Sequence, residues 1–373
     1  MIHFRISKKF KGISRLAGLL VVGFAFCNGA RAGDYAEDIE RGPFFIRSRE
    51  HLQITNNRGS ITVQGWAFDK IRVKARRRVV AKDLDDAKLL FAAADIRFRT
   101  LGDGSVELSA EYGKKLDIEQ RLRERENPKT TMDIVVFAPA NLALRVWALD
   151  GKVFIKNRVA PVEVRTSTGP ILIENVRGET ISALCSSCTI SVHAIQGNLR
   201  CMGGSGDIDV IDVKGNNIYA ESTTGSIRLA RVQGEQLIVS KSGAISGRAQ
   251  SGYVQFHTQQ APVEILDASG FLTGKTDSGN IVAKMRSWRF EDKGLIESAK
   301  GSITLTLPSN FSGDLDVKSI LGRASVGYSL QNPGERISMG PEPANHLAGR
   351  IGDGGEILKV FSESGDIQIL RGD

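Results

Sequence analysis

The chain has 373 residues, with 50 Lys and Arg against 42 Asp and Glu, a formal charge of +8 and four cysteines. Six of the basic residues and no acid lie in residues 1–32, so beyond them 44 basic side chains meet 42 acidic ones, a net of +2. That near-neutral balance argues against a nucleic-acid partner, whose protein domains carry a dense basic face.

Arg5, Lys8, Lys9, Lys11 and Arg15 precede the apolar run LAGLLVVGFAFC (16–27), and Ala30-Arg31-Ala32 follows it. A basic start, a short apolar stretch and an A-x-A site predict a signal peptide over residues 1–32. The run is shorter than the roughly 20 residues that cross a bilayer, and no later segment is as apolar. The expectation is an exported chain without a transmembrane span, in the periplasm, at the cell surface or secreted.

Residues 33–144 read as a smaller β-rich module without a visible period. Within it, LQITNNRGSITVQGW (52–66) predicts a hairpin. KIRVKARRRVVAK (70–82) predicts a basic strand at a solvated edge, with Arg76, Arg77 and Arg78 sent to both faces by alternation. In DLDDAKLLFAAAD (83–95), Leu84, Ala87 and Phe91 fall near helical spacing behind leading aspartates, which predicts one short helix. TMDIVVFAPANLALRVWALDG (131–151) predicts paired strands running into the next region.

From residue 145 a period appears. Gly169, Gly206, Gly225, Gly243 and Gly279 recur in one register, with Cys188 and Ala261 standing in for Gly, at steps of 18 or 19 residues. Gly301 follows, and Gly365 lies in SESGDIQIL. A second Gly column lies nine residues on, at Gly178, Gly197, Gly215, Gly234, Gly252 and Gly270. Two residues past the first column stand Ile171, Ile190, Ile208, Ile227, Ile245, Val263, Ile281 and Ile303. Polar residues separate this column from a second, mostly aliphatic one, which is strand alternation restarted at a fixed interval. The pattern predicts an all-β fold over 145–373: a β-solenoid, a right-handed β-helix of about 18–19 residues per coil, with the isoleucine file facing a shared dry interior. Corners are expected at the two Gly columns. Hydroxyls three before the first Gly (Thr166, Ser222, Ser240, Thr258, Thr276, Ser298) and one before it (Thr168, Ser187, Ser205, Thr224, Ser242, Ser278) are expected to hydrogen-bond along the axis or to corner backbone. The last coil is expected near 356–371, with the preceding Gly- and Pro-rich segment forming hairpins and a loop that cover the open end as a cap.

Chemistry is sparse in this pattern. Cys185, Cys188 and Cys201 follow the leader, and export favours a disulfide, either Cys185–Cys188 or Cys185–Cys201. Two cysteines at C-x-x-C supply half a structural zinc site, so no metal is expected there. MGGSGDIDV (202–210) departs from a calcium repeat at Ile208, and Asp209 shares its column with Arg228, which predicts an ion pair rather than a cation site. Polysaccharide cleavage needs carboxylates gathered on one face. The outward columns stack no acids, Trp66, Trp147 and Trp288 are scattered, and His51, His193, His257 and His346 fall in different registers. No catalytic residue and no cofactor is therefore expected.

NNRGSITVQGW, VVFAPANLALRVWALDGKVFI, the repeated S/T-x-S/T-G-x-I phrase, GSITLTLPSNF and LAGRIGDGGEILKVFSESGDIQI together make the chain resemble the bacterial "putative adhesin" family, over nearly all of the chain beyond residue 32. The resemblance implies an exported β-solenoid domain and carries no catalytic or ligand-binding motif. It implies a non-catalytic structural or binding module at the cell envelope with a protein or glycan partner. The alternative is a carbohydrate-active β-helix that binds or cleaves a polysaccharide.

Overall fold

A computed structural model describes residues 33–45, 51–102, 104–113, 116–117, 130–290, 293–331 and 345–373. The predicted leader, 1–32, lies outside the described residues. Among these there are 25 strands and a single helix, and the strands form one wound sheet.

One coil illustrates the rest. Ile171 and Ile173 point inward on a first face, Val176 on a narrow second face, and Ile181, Ala183 and Cys185 on a third; residues 186–189 then turn back to Ile190. The turn between the first and second faces uses a left-handed residue, Asn175 at φ 51°. The same position is left-handed in Asn157, Ala194, Asp212, Arg231, Ala249 and Asp267. Each coil therefore bends three times, not at the two Gly columns alone. The missed bend sits six residues past the first Gly, and four of its seven residues are Asn or Asp, the non-Gly types that take a positive φ most readily.

The isoleucine file is buried as the alternation predicts. Ile171, Ile190, Ile208, Ile227, Ile245, Val263, Ile281 and Ile303 pair rung upon rung, and each is at most 1% exposed. Burying a side chain of this size contributes about 1.5–3 kcal/mol, so the column is a principal source of stability.

The first Gly column does a different job from turning. A Cβ on Gly225 would lie 2.0 Å from the Gly206 carbonyl oxygen, and one on Gly243 would lie 2.0 Å from that of Gly225. Successive corners simply pack backbone on backbone. At most rungs the hydroxyl three residues earlier bonds the corner backbone from inside, the buried Ser222 Oγ being an unpartnered exception. The Gly301 N–H donates to Ser298 Oγ at 2.8 Å, and that hydroxyl donates to the Gly279 carbonyl of the preceding rung at 3.0 Å. Ser362 repeats the arrangement between Gly365 and Gly301.

The stack begins earlier than the periodic sequence does. Strand Ile61–Trp66 pairs in parallel with Val153–Arg158, and His51–Asn56 with Ala143–Ala148, so residues 51–66 form a rung. The expected hairpin at 52–66 is not formed: its halves lie on different faces, separated by the Gly59 corner. Nor do 130–139 and 143–148 pair with each other. Thr130–Pro139 lies beside Ile61–Trp66, whose rung separates it from the next strand in the chain.

The other end is interleaved too. Gly294–Ser298 pairs with Ile357–Ser362, which pairs with Gly313–Ser319; Ile303–Leu307 pairs with Ile367–Arg371, which pairs with Ala324–Val326. The coil at 357–371 is thus sandwiched inside the stack rather than placed last. The segment expected to form hairpins and a covering loop also supplies a rung of its own, 313–326, in which Ser319 and Gly322 repeat the corner lock and Ser319 Oγ donates to the Gly365 carbonyl. Strand His346–Ile351 then pairs antiparallel outside it.

At the amino-terminal end, Lys70–Ala81 is an interior strand, not a solvated edge. It is flanked by Gly33–Phe45 and Thr130–Pro139. The outer strand is acidic in the complementary register: Glu40 pairs with Arg72, Asp38 with Arg76 and Glu37 with Arg77, while Arg78 reaches Asp133. The helix, Leu84–Ala93, starts on Asp83, whose carboxylate accepts from the Asp85 and Asp86 N–H groups. It buries Ala87, Leu90 and Ala93 against Val79 and Ala81. One apolar core runs from Leu52 to Ile369.

Candidate interaction surface

The outward residues of the stacked strands form ladders, so each presents its chemistry at a repeat of about 4.8 Å. In the middle of the first face these ladders are self-neutralising. Arg228 donates to Asp209 at 2.6 Å and to Asp207 at 3.0 Å, and Arg231 pairs with Asp212. The Asp209 and Asp207 carboxylates raise the Arg228 pKa, and hydrogen bonding to Arg231 lowers that of Asp212. The aspartates of MGGSGDIDV and its continuation are thus held by arginines one rung on. No group of three or more metal-ligating side chains occurs among the described residues.

The cysteines occupy the corner register. Cys185 stands in the hydroxyl column and Cys188 in the Gly column, and a disulfide joins them. A covalent clip therefore replaces the hydroxyl–glycine lock at this one rung. Cys201 is free and fully buried between Ala183 and Ala220, and burial pushes its thiol up to about 12.

The histidines are dispersed. His51 Nδ1 lies 2.9 Å from the hydroxyl of Ser105, but Ser105 is fully buried and the other ring nitrogen faces Arg145. His346 pairs with Asp316 in the opposite terminal region. A Ser–His contact with a sealed hydroxyl and a guanidinium in place of an orienting carboxylate does not have the geometry of a nucleophilic dyad.

Three polar residues in core columns escaped the periodic reading. Arg158 occupies the inward column of Val176 and donates to the carbonyls of Ala138 and Leu142; burial lowers its pKa to about 10. Gln236 replaces the aliphatic residue of its column and accepts a 3.0 Å bond from buried Gln250, which fills the space left by Gly247.

The amino-terminal part of the first face differs from the middle. Trp66 packs edge-on against Phe68, with ring centroids 5.2 Å apart, and lies 5.7 Å from Phe137; its indole N–H donates to the Lys70 carbonyl. The Lys70 ammonium sits 5.2 Å from the Phe68 ring centre, and Lys152 and Lys156 lie 5.7 and 5.3 Å from that of Phe154. The tryptophans are indeed dispersed, but Trp66 belongs to an aromatic–cationic surface that composition did not reveal.

A family model described as Toastrack DUF4097 matches residues 156–370. The chain belongs to the Toastrack DUF4097 family. The match begins at Lys156, within the rung 153–158, and reaches Leu370, so it takes in the regular coils and the interleaved carboxy-terminal rung of this Toastrack chain. Two solved structures are similar over most of their length. One, from Clostridium sporogenes ATCC 15579 and described as a "putative cell adhesion protein", is 8% identical, covers 92% of this chain and 100% of its own, and has a TM-score of 0.20. The other, from Parabacteroides distasonis ATCC 8503 and described as a "putative lipid binding protein", is 11% identical over 90% of this chain and 96% of its own, with a TM-score of 0.32. Likeness at that level says nothing about what this Toastrack chain binds. No curated protein matches its sequence.

Proposed function

We propose that this Toastrack protein is an exported, non-catalytic binding module acting at the cell envelope, an adhesin-like scaffold rather than an enzyme. The observation that carries the reading is the unbroken core from Leu52 to Ile369 beneath the ladder-built faces of the coil. A sheet wound into rungs holds every outward side chain at a fixed spacing, which suits repeated contacts with an extended partner and leaves little freedom for an active-site cleft to close. The signal peptide expected over 1–32 supports the envelope setting.

The test is a binding screen of the exported protein against envelope polysaccharides and envelope protein fractions, with product analysis of each retained polysaccharide. Retention without depolymerisation is expected. Slow release of oligosaccharides would replace this reading with the carbohydrate-active one.

A further inference from the structure

We infer that the amino-terminal end of the first face docks onto an anionic lipid surface, through protruding phenylalanines rimmed by lysines. The inference rests on the envelope reading above and names the partner.

The aromatic residues are gathered by the interleaved topology. Phe45 ends strand Gly33–Phe45 and is the register partner of Lys70, and Phe68 lies in the turn two residues before Lys70. Both side chains stand out from the protein, at 78% and 58% exposed. Beside them Trp66 bridges to Phe137. Next along the ladders, Gln64 lies between Phe137 and Lys156, and Thr62 lies between Val135 and Phe154. Four segments separated in sequence thereby present one aromatic surface.

Its charge is as informative as its apolarity. Lys70, Lys152 and Lys156 hold their ammonium groups over the Phe68 and Phe154 rings, while Lys74 in the adjoining strand is exposed. Arg72 is occupied by Glu40. Ammonium groups parked on ring faces are partly desolvated and keep donors free for phosphate. They also cover the Phe154 face on which a sugar would have to stack, which favours a phospholipid over a glycan. Phenylalanine and tryptophan flanked by lysine are the side chains that settle at a membrane–water interface. Juxtaposed lysines then add attraction to anionic headgroups.

The experiment is partition of the exported protein onto vesicles of phosphatidylcholine alone or with phosphatidylglycerol, followed by co-sedimentation. Association with the mixed vesicles, weakening as salt rises, is expected. The triple variant Lys70→Glu/Lys152→Glu/Lys156→Glu should lose at least about tenfold in partition, since each lysine near a charged surface contributes appreciably. Phe45→Ser/Phe68→Ser should abolish the association that persists at high salt. Its two sites are exposed, so it provides a folded variant if the triple variant proves unstable; thermal transitions of both are compared with the parent. Brominated lipid should quench tryptophan fluorescence, and Trp66→Phe should remove that quenching although Trp147 and Trp288 remain.

Equal partition to neutral and anionic vesicles, or none to either, overturns the inference. So does quenching that survives Trp66→Phe. If vesicles are ignored while an envelope polysaccharide or protein is retained, the lipid inference alone falls. If a polysaccharide is depolymerised, the non-catalytic reading falls and the vesicle result is unaffected.

Discussion

The middle of the stack and its two ends are built from the same corner but assembled differently. Between Ile171 and Ile281 each rung lies on its sequence neighbour, and the ladders hardly leave the 18- or 19-residue step. At the ends the order of stacking departs from the order of the chain: 51–66 lies between 130–139 and 143–158, and 357–371 lies between 294–307 and 313–326. A regular middle can lengthen by duplicating coils. An interleaved end cannot unwind strand by strand, because the last rung in sequence is gripped on both sides. The polar core residues follow the same division in part, with Arg158 where the irregular end joins the regular coils and the Gln236–Gln250 pair in the middle, where it marks one register among otherwise interchangeable rungs.

A charge placed in the core should separate the two regions most strongly. Ile227→Asp places a carboxylate in a fully buried column and should cost about 5 kcal/mol or more, unfolding the array in urea. Ala324→Asp, in the three-residue strand at the far end, should cost about 2 kcal/mol because a terminal rung can open locally. Equal losses at both sites would remove the distinction.

Next in size is removal of residues 353–373. Without the sandwiched rung, 294–307 and 313–326 have no partner between them. Amide protection should be lost across both segments while 171–265 keeps its own, as read by hydrogen exchange. Unchanged protection at 313–326 would show that the interleaving is dispensable.

A smaller effect separates corner from turn. Gly225→Ala forces a Cβ into the Gly206 carbonyl and should lower stability by about 3 kcal/mol. Gly102→Ala, with nothing within 4 Å of the added carbon, should change it by no more than about 0.5 kcal/mol.

The smallest difference concerns the covalent corner. Reducing Cys185–Cys188 opens a short loop and should cost about 2 kcal/mol. Cys185→Ser/Cys188→Gly rebuilds the hydroxyl–glycine lock found at the Gly301 and Gly365 corners and should recover about 1 kcal/mol of that, measured against Cys185→Ala/Cys188→Ala by thermal unfolding. Throughout, Cys201 offers an internal probe. Its thiol is buried and its pKa is raised, so alkylation at pH 8 should follow unfolding rather than precede it.

Much of this fold was legible. The isoleucine file, the buried and exposed hydroxyl columns, the inward place of Cys201 and the Asp209–Arg228 pair all follow from reading side chains at fixed register. The rung at 51–66 was also written in the chain: NNRGSITV carries a corner Gly with Ile and Val two and four residues later, but it stands alone, and a period needs repetition to be seen. Likewise KSILGRASV spells the 313–326 corner with Ser319, Gly322 and Ala324. The left-handed bend left only a faint trace, Asn or Asp at four of seven positions, because Ala and Arg fill the rest and no Gly marks it.

By itself the sequence determined the local grammar of this protein: which side chains face inward, where backbone must approach backbone, and roughly how long a coil is. Those are short-range consequences of alternation and of the room a Cβ occupies. Only the tertiary structure decided which rung lies on which at the two ends, and hence that Phe45, Phe68 and Phe154 share a surface. A parallel ladder pairs backbone with backbone through bonds common to every residue, so it records no sequence label telling a strand which distant neighbour it will have.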